Sequence, residues 1–121
     1  MLKLSDLSGF SDEEIVQHII DSYEADPEAV KKFEVLVAYE SVGSWGCDSS
    51  SFFLLREIGT GKLFENHGSH CSCSGFEGQF SPTESSVNYL QSEHFYFSCG
   101  GYEEDGECVQ QKVKELISSL E

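Results

Sequence analysis

The stretch from residue 33 to residue 66 sets the tightest limit on what this chain can fold into. Phe33, Val35, Val37 and Tyr39 alternate with Glu34, Leu36, Ala38 and Glu40. That period of two predicts a strand over 33–42, with Leu36 and Ala38 giving the second face partial cover. Ser51-Phe52-Phe53-Leu54-Leu55-Arg56-Glu57 predicts a second strand, and Lys62-Leu63-Phe64-Glu65-Asn66 a third. Gly59-Thr60-Gly61 lies between them, and two apolar runs joined by a Gly-rich turn of this length form a β-hairpin. Strands so closely connected leave no room for a series of right-handed crossovers, each of which takes about a dozen residues. The sheet should therefore be antiparallel.

Helices flank these strands. Leu4 and Leu7 are spaced for a short helical turn, ended by Gly9. Ser11-Asp12-Glu13-Glu14 is a capping box, with Ser11 as N-cap and Glu14 reaching back. Ile15, Ile19, Ile20 and Tyr23 continue it as a helical stripe, which predicts a helix over 11–25. Asp26-Pro27-Glu28 restarts a short helix over 27–32, with Pro at its first position. Ser81-Pro82-Thr83-Glu84 repeats the capping signature and, with Val87, Tyr89 and Leu90, predicts a helix over 82–91. A fourth strand is expected over 94–99. An acidic turn follows at 100–106, and Val109, Val113, Leu116, Ile117 and Leu120 mark a last helix over 107–120. The expected fold is α+β: one domain, residues 1–121, with an antiparallel sheet of about four strands and helices packed mainly on one face.

Charge narrows function more than pattern does. The chain has 22 acidic and 7 basic residues, a formal net charge of −15. No Lys or Arg lies between Lys3 and Lys31, nor between Lys62 and Lys112, and each gap holds eight acids. Direct binding to nucleic acid is disfavoured, because phosphate neutralisation needs clustered Lys and Arg. Two readings of the imbalance remain: solubility, which any acidic cytosolic protein gains, and a negative surface steered onto a basic partner such as a nucleic-acid enzyme. The densest acidic group is Glu103, Glu104, Asp105 and Glu107; Asp12, Glu13 and Glu14 come second, since capping already accounts for them. Trp45 and Tyr102, in stretches between elements, are candidate aromatic anchors. The N-terminal residues carry no sustained apolar segment, so the expected location is the cytoplasm of the host cell, away from any membrane.

The loop Asn66–Phe80 concentrates the other candidate chemistry. His67, His70, Cys71 and Cys73 lie within seven residues. Those types suit zinc, with His70, Cys71 and Cys73 as candidate ligands, but the cysteines are spaced C-x-C rather than as the usual C-x2-C. The other reading is that Cys71 and Cys73 are small buried residues filling space, with the histidines bonded to loop backbone. A thiolate–imidazole pair of Cys71 and His70 is disfavoured, because the surrounding negative field raises a thiol pKa. Gly68, Gly75 and Gly78 are too scattered for a phosphate loop. No catalytic residue is assigned, and a non-enzyme is expected. Phe76 and Phe80 would anchor the loop, with Gly75 and Gly78 supplying its turns.

Ser51-Phe52-Phe53-Leu54-Leu55, Gly61-Lys62-Leu63-Phe64-Glu65-Asn66 and Ser69-His70-Cys71-Ser72-Cys73-Ser74-Gly75-Phe76-Glu77-Gly78-Gln79-Phe80-Ser81-Pro82-Thr83-Glu84 together resemble a family of small acidic proteins encoded by phages and prophages. The likeness covers about a third of the chain and extends into Gly100-Gly101-Tyr102-Glu103-Glu104-Asp105. It implies a genomic setting rather than a mechanism. Small acidic phage proteins often inhibit host enzymes or defence complexes, anti-CRISPR proteins among them. By that analogy the expected role is an inhibitor that occupies the basic surface of a nucleic-acid-binding host protein. The alternative is a zinc-binding module centred on residues 67–73.

Overall fold

The computed structural model describes residues 2–5, 7, 9–41, 49–70, 76–90 and 114–119. The elements, in chain order, are strand β1 (Leu2–Ser5), helix α1 (Asp12–Ser22), helix α2 (Pro27–Lys31), strands β2 (Phe33–Ser41), β3 (Ser49–Glu57), β4 (Leu63–His70) and β5 (Thr83–Ser85), and helix α3 (Val87–Leu90). Residues 114–119 are also helical. The fold is α+β. The five described strands form one sheet in sequence order, with β2 to β5 antiparallel and β1 parallel to β2 at the edge. The predicted strand at 94–99 lies outside the described residues.

The capping box at α1 forms as expected. The Ser11 hydroxyl accepts from Glu14 N–H at 3.2 Å, and Ser11 N–H donates to the Glu14 carboxylate at 3.0 Å. Asp26 caps α2 by accepting from Glu28 N–H at 3.1 Å, with Pro27 following it. The hairpin turn also lies where Gly59-Thr60-Gly61 placed it, closed by Glu57 N–H to Lys62 O at 2.8 Å.

Four expectations are corrected. Leu2–Ser5 is a strand rather than a helical turn, because the outer edge of β2 offers unpaired backbone groups that a short parallel strand satisfies. Strand β4 runs on to His70, so His67 and Gly68 belong to the sheet and not to the loop; Ser49 and Ser50 extend β3 opposite them. Ser81-Pro82-Thr83-Glu84 does not cap a helix. Thr83–Ser85 pairs with β4, Ser81 N–H donates to the Asn66 side-chain carbonyl at 2.6 Å, and α3 starts only at Val87. The fourth correction concerns β2. A bulge at Leu36 shifts its register, so Val35 pairs with Leu55 but Val37 with Leu54. Side chains change face there, as one extra residue requires.

The bulge decides which residues meet. Val35, Ala38, Phe53 and Leu55 pack under α1 and α2 with Leu7, Ile15, Ile19, Tyr23, Val30 and Phe76. Leu36, Val37, Tyr39, Phe52, Leu54 and Leu63 form the other layer with Leu90 of α3 and Ile117. Helices α1 and α2 thus share one face, and burying side chains such as Ile15 and Ile19 there contributes about 1.5–3 kcal/mol each. Phe76 is buried as expected and stacks on Tyr23, ring centroids 4.9 Å apart. Gly78 makes the turn beside it at φ 75° and donates its N–H to Tyr23 O at 2.9 Å.

Gly68 is where the sheet is tightest. A Cβ there would meet Ser51 Oγ at 2.6 Å, Gln79 Oε1 at 3.1 Å and Phe76 Cδ1 at 3.2 Å. Gly68→Ala should therefore destabilise the fold by about 1–3 kcal/mol in denaturant unfolding. Adding Ser51→Ala, which removes the nearest atom, should recover part of that loss. A Gly68→Ala variant as stable as the parent would contradict the packing described.

Candidate functional site

Helix α1 has three kinds of surface, and the sequence explains each. Ile15, His18, Ile19 and Ser22 recur at three- and four-residue spacing and turn toward the sheet, with Ile15 and Ile19 fully buried. Asp12, Glu13, Glu14 and Asp21 are exposed, as are Glu24, Asp26 and Glu28 in the turn and in α2. Between the two helices, Glu13, Val16, Gln17 and Ile20 line a third stripe. With Asp12, Pro27 and Lys31 they bound an open groove of about 530 Å³. Val16 and Ile20 are half-buried there, against the core but not closed over.

The inward stripe carries an unusual polar tie. Glu40 is buried on β2, and its carboxylate meets His18 Nε2 at 2.7 Å and accepts from the Tyr23 hydroxyl at 3.0 Å. His18 Nδ1 lies 3.3 Å from the Ser22 hydroxyl, and Phe10 and Tyr23 pack edge-on to the imidazole. The hydrogen bond to Glu40 raises the His18 pKa, burial opposes it, and the charges of Glu40 and Asp21 add to the rise. Burial, chiefly, and then the Glu40 charge keep the Tyr23 hydroxyl protonated, as its donor role requires. Ser22, His18 and Glu40 have the residue types of a hydrolytic relay. Ser22 is simply the next-turn neighbour of His18, however, and neither residue lines the groove. The cluster docks α1 on the sheet.

The outward residues are bound less tightly. Lys3 pairs with Asp12 at 2.7 Å and, through that hydrogen bond first, holds its carboxyl below the ordinary value. Among the described residues, Asp12 is the one acid of the seven named above with an ion-pair partner. Arg56 is committed to Glu34 at 2.6 Å and Lys62 pairs with Glu84 at 3.6 Å. Glu14 and Asp26 act as caps and Asp21 accepts from Gln17 Nε2 at 3.0 Å, so Glu13, Glu24 and Glu28 remain as exposed charges with few local duties.

The other predicted site residues distribute as follows. Asp12, Glu13 and Glu14 sit together in the first turn of α1. Glu103, Glu104, Asp105 and Glu107 lie outside the described residues, as do Trp45, Tyr102, Cys71, Cys73 and the other cysteines. His70 is the last residue of β4. His67 lies on the far sheet layer, 3.0 Å from Glu65 and against the Phe52 ring. Among the described residues no group of three or more His, Cys, Asp or Glu is placed to hold a metal ion. No helix among them is long and apolar enough to cross a membrane.

The sequence reading missed the Glu40 tie and the groove. A signal for each was present. His18 falls inside an otherwise apolar stripe, and Val16 is an apolar residue outside it; Ile20, counted in the stripe, is only half-buried beside Val16. Searches against protein-family models, curated proteins and solved structures find no match to this chain.

The tie has a pH signature. A histidine whose folded pKa is raised contributes its full stabilisation below the unfolded value of about 6.5 and loses it as pH rises through the folded pKa. His18→Gln should cost about 1–3 kcal/mol at low pH, below the figure for a fully buried pair because His18 is partly exposed. The difference from the parent should shrink in alkaline buffer. Urea titrations of both proteins across pH 5.5–9 test this, and a constant difference would contradict the tie.

Proposed function

We propose that this chain is a non-enzymatic acidic binding protein. It occupies the basic, nucleic-acid-binding surface of a host protein or defence complex and keeps nucleic acid from that site, as an anti-CRISPR or DNA-mimic inhibitor does. The observation that carries the reading is the exposed acidic surface of α1, α2 and the turn between them, with seven acids against Lys31 and Lys32, on a chain of net charge −15. The likeness of residues 51–84 to small acidic phage proteins supplies the biological setting. The segment Glu103-Glu104-Asp105-Gly106-Glu107 is assigned to the same partner as a second acidic contact.

Physically, such a surface acts first on the encounter. A negative field accelerates association with a positively charged patch, and added salt removes the advantage. Rigid docking of α1 through Glu40 then offers the charges in one arrangement, so little ordering cost is left for the complex.

Charge reversal tests this without disturbing the caps. Glu13→Lys, Asp21→Lys and Glu28→Lys, combined, should slow association with a partner captured from host lysate about tenfold or more at low salt and flatten the salt dependence. Reversal of Glu103, Glu104, Asp105 and Glu107 should act in the same direction. Stopped-flow or surface-based kinetics across a salt series provide the measurement. Unchanged rates and an unchanged salt slope in both variants would refute the assignment.

A further inference from the structure

The groove between α1 and α2 adds an apolar component that acidic residues alone would not supply. Its apolar lining is Val16, Ile20 and Pro27, and Asp12, Glu13, Gln17 and Lys31 complete it. At about 530 Å³ it falls within the roughly 300–1,000 Å³ typical of binding clefts. Val16 and Ile20 are spaced one helical turn apart, so their side chains present a continuous apolar strip. Asp12 and Glu13 line the groove opposite a single cation, Lys31, and further exposed acids adjoin its lining residues in the chain, Asp21 next to Ile20 and Asp26 and Glu28 on either side of Pro27. Asp12 is already engaged by Lys3, while Glu13 has no ion-pair partner among the described residues.

We infer that this groove seats a lysine- or arginine-rich segment of the protein partner through one or two aliphatic side chains laid on Val16 and Ile20. The inference rests on the binding-protein reading above and makes it more specific. Charge complementarity selects the occupant. An acidic or neutral apolar segment would bring its own apolar side chains but meet the adjoining carboxylates unfavourably. A basic segment gains both terms, and its cations reach Glu13 and the outer acids while its apolar side chains leave water. Apolar anchoring supplies what long-range charge does not, a slow dissociation that persists in salt.

The probe is a fluorescein-labelled helical peptide of lysine and leucine, paired with a counterpart of identical charge in which every leucine is serine. The full chain, with Val and Ile methyl groups isotopically labelled, is titrated with each and followed by fluorescence anisotropy and methyl NMR. The leucine peptide should bind at least about tenfold more tightly than the serine peptide, the gain expected from burying one aliphatic side chain. Its saturating shifts should centre on the Val16 and Ile20 methyls. Gln17→Lys, an exposed substitution that leaves the core intact, should weaken the leucine peptide more than the serine peptide. Equal binding of the two peptides, without shifts at Val16 and Ile20, would overturn the groove and leave the acidic-surface reading in place. No binding of either peptide at low salt would overturn both.

Discussion

A carboxylate buried between a helix and a sheet is tolerated only when it is paired, and Glu40 determines how this domain is put together. Its partners, His18 and Tyr23, both come from the helical segment that crosses the sheet. Removing either would leave a buried charge short of a donor, a cost larger than the pair's net contribution. The pairing therefore specifies position more than it adds stability. It fixes the rotation of α1, so that Ile15 and Ile19 enter the core while Glu13 and Asp21 face solvent. The acidic surface and the groove beside it both follow from that rotation.

Glu40 reaches the helix side of the sheet only because β2 bulges at Leu36. Uninterrupted alternation would place Glu40 opposite to Phe33 and Val35. With the bulge, Phe33, Val35, Ala38 and Glu40 all contribute to the α1 side, and Val37 and Tyr39 fill the other layer. A single extra residue thus gives both faces of β2 enough apolar material and delivers one charge to its partners. The strand pattern was legible in the sequence, but the change of face was not, because Leu36 suits either layer.

Two copies of one local signature show where sequence reasoning holds and where it gives way. Ser11-Asp12-Glu13-Glu14 and Ser81-Pro82-Thr83-Glu84 both match a capping box. The first caps α1, where no strand competes for its backbone. The second lies beside the free edge of β4, and the ladder takes Thr83–Ser85 before a helix can start. Leu2–Ser5 yields to the edge of β2 in the same way. Local propensity is worth tenths of a kcal/mol per residue, and an unpaired sheet edge outweighs it. Among the described strands, the two at the ends of the sheet are four and three residues long, a length that limits pairing with other chains. The acidic residues of α1 were legible as capping groups and as charge; the groove they border was not, since it depends on how α2 packs against α1.

The function turns on whether the acidic surface competes with nucleic acid for a shared basic site. The most direct measurement is a competition experiment on immobilised protein. Host lysate is passed over it at low salt, and the retained proteins are challenged with duplex DNA or RNA at constant ionic strength. The proposed function predicts that the retained proteins are nucleic-acid-binding and that nucleic acid releases them where an equal concentration of a neutral polymer does not. Retained proteins that bind no nucleic acid, or that stay in place when it is added, would contradict it.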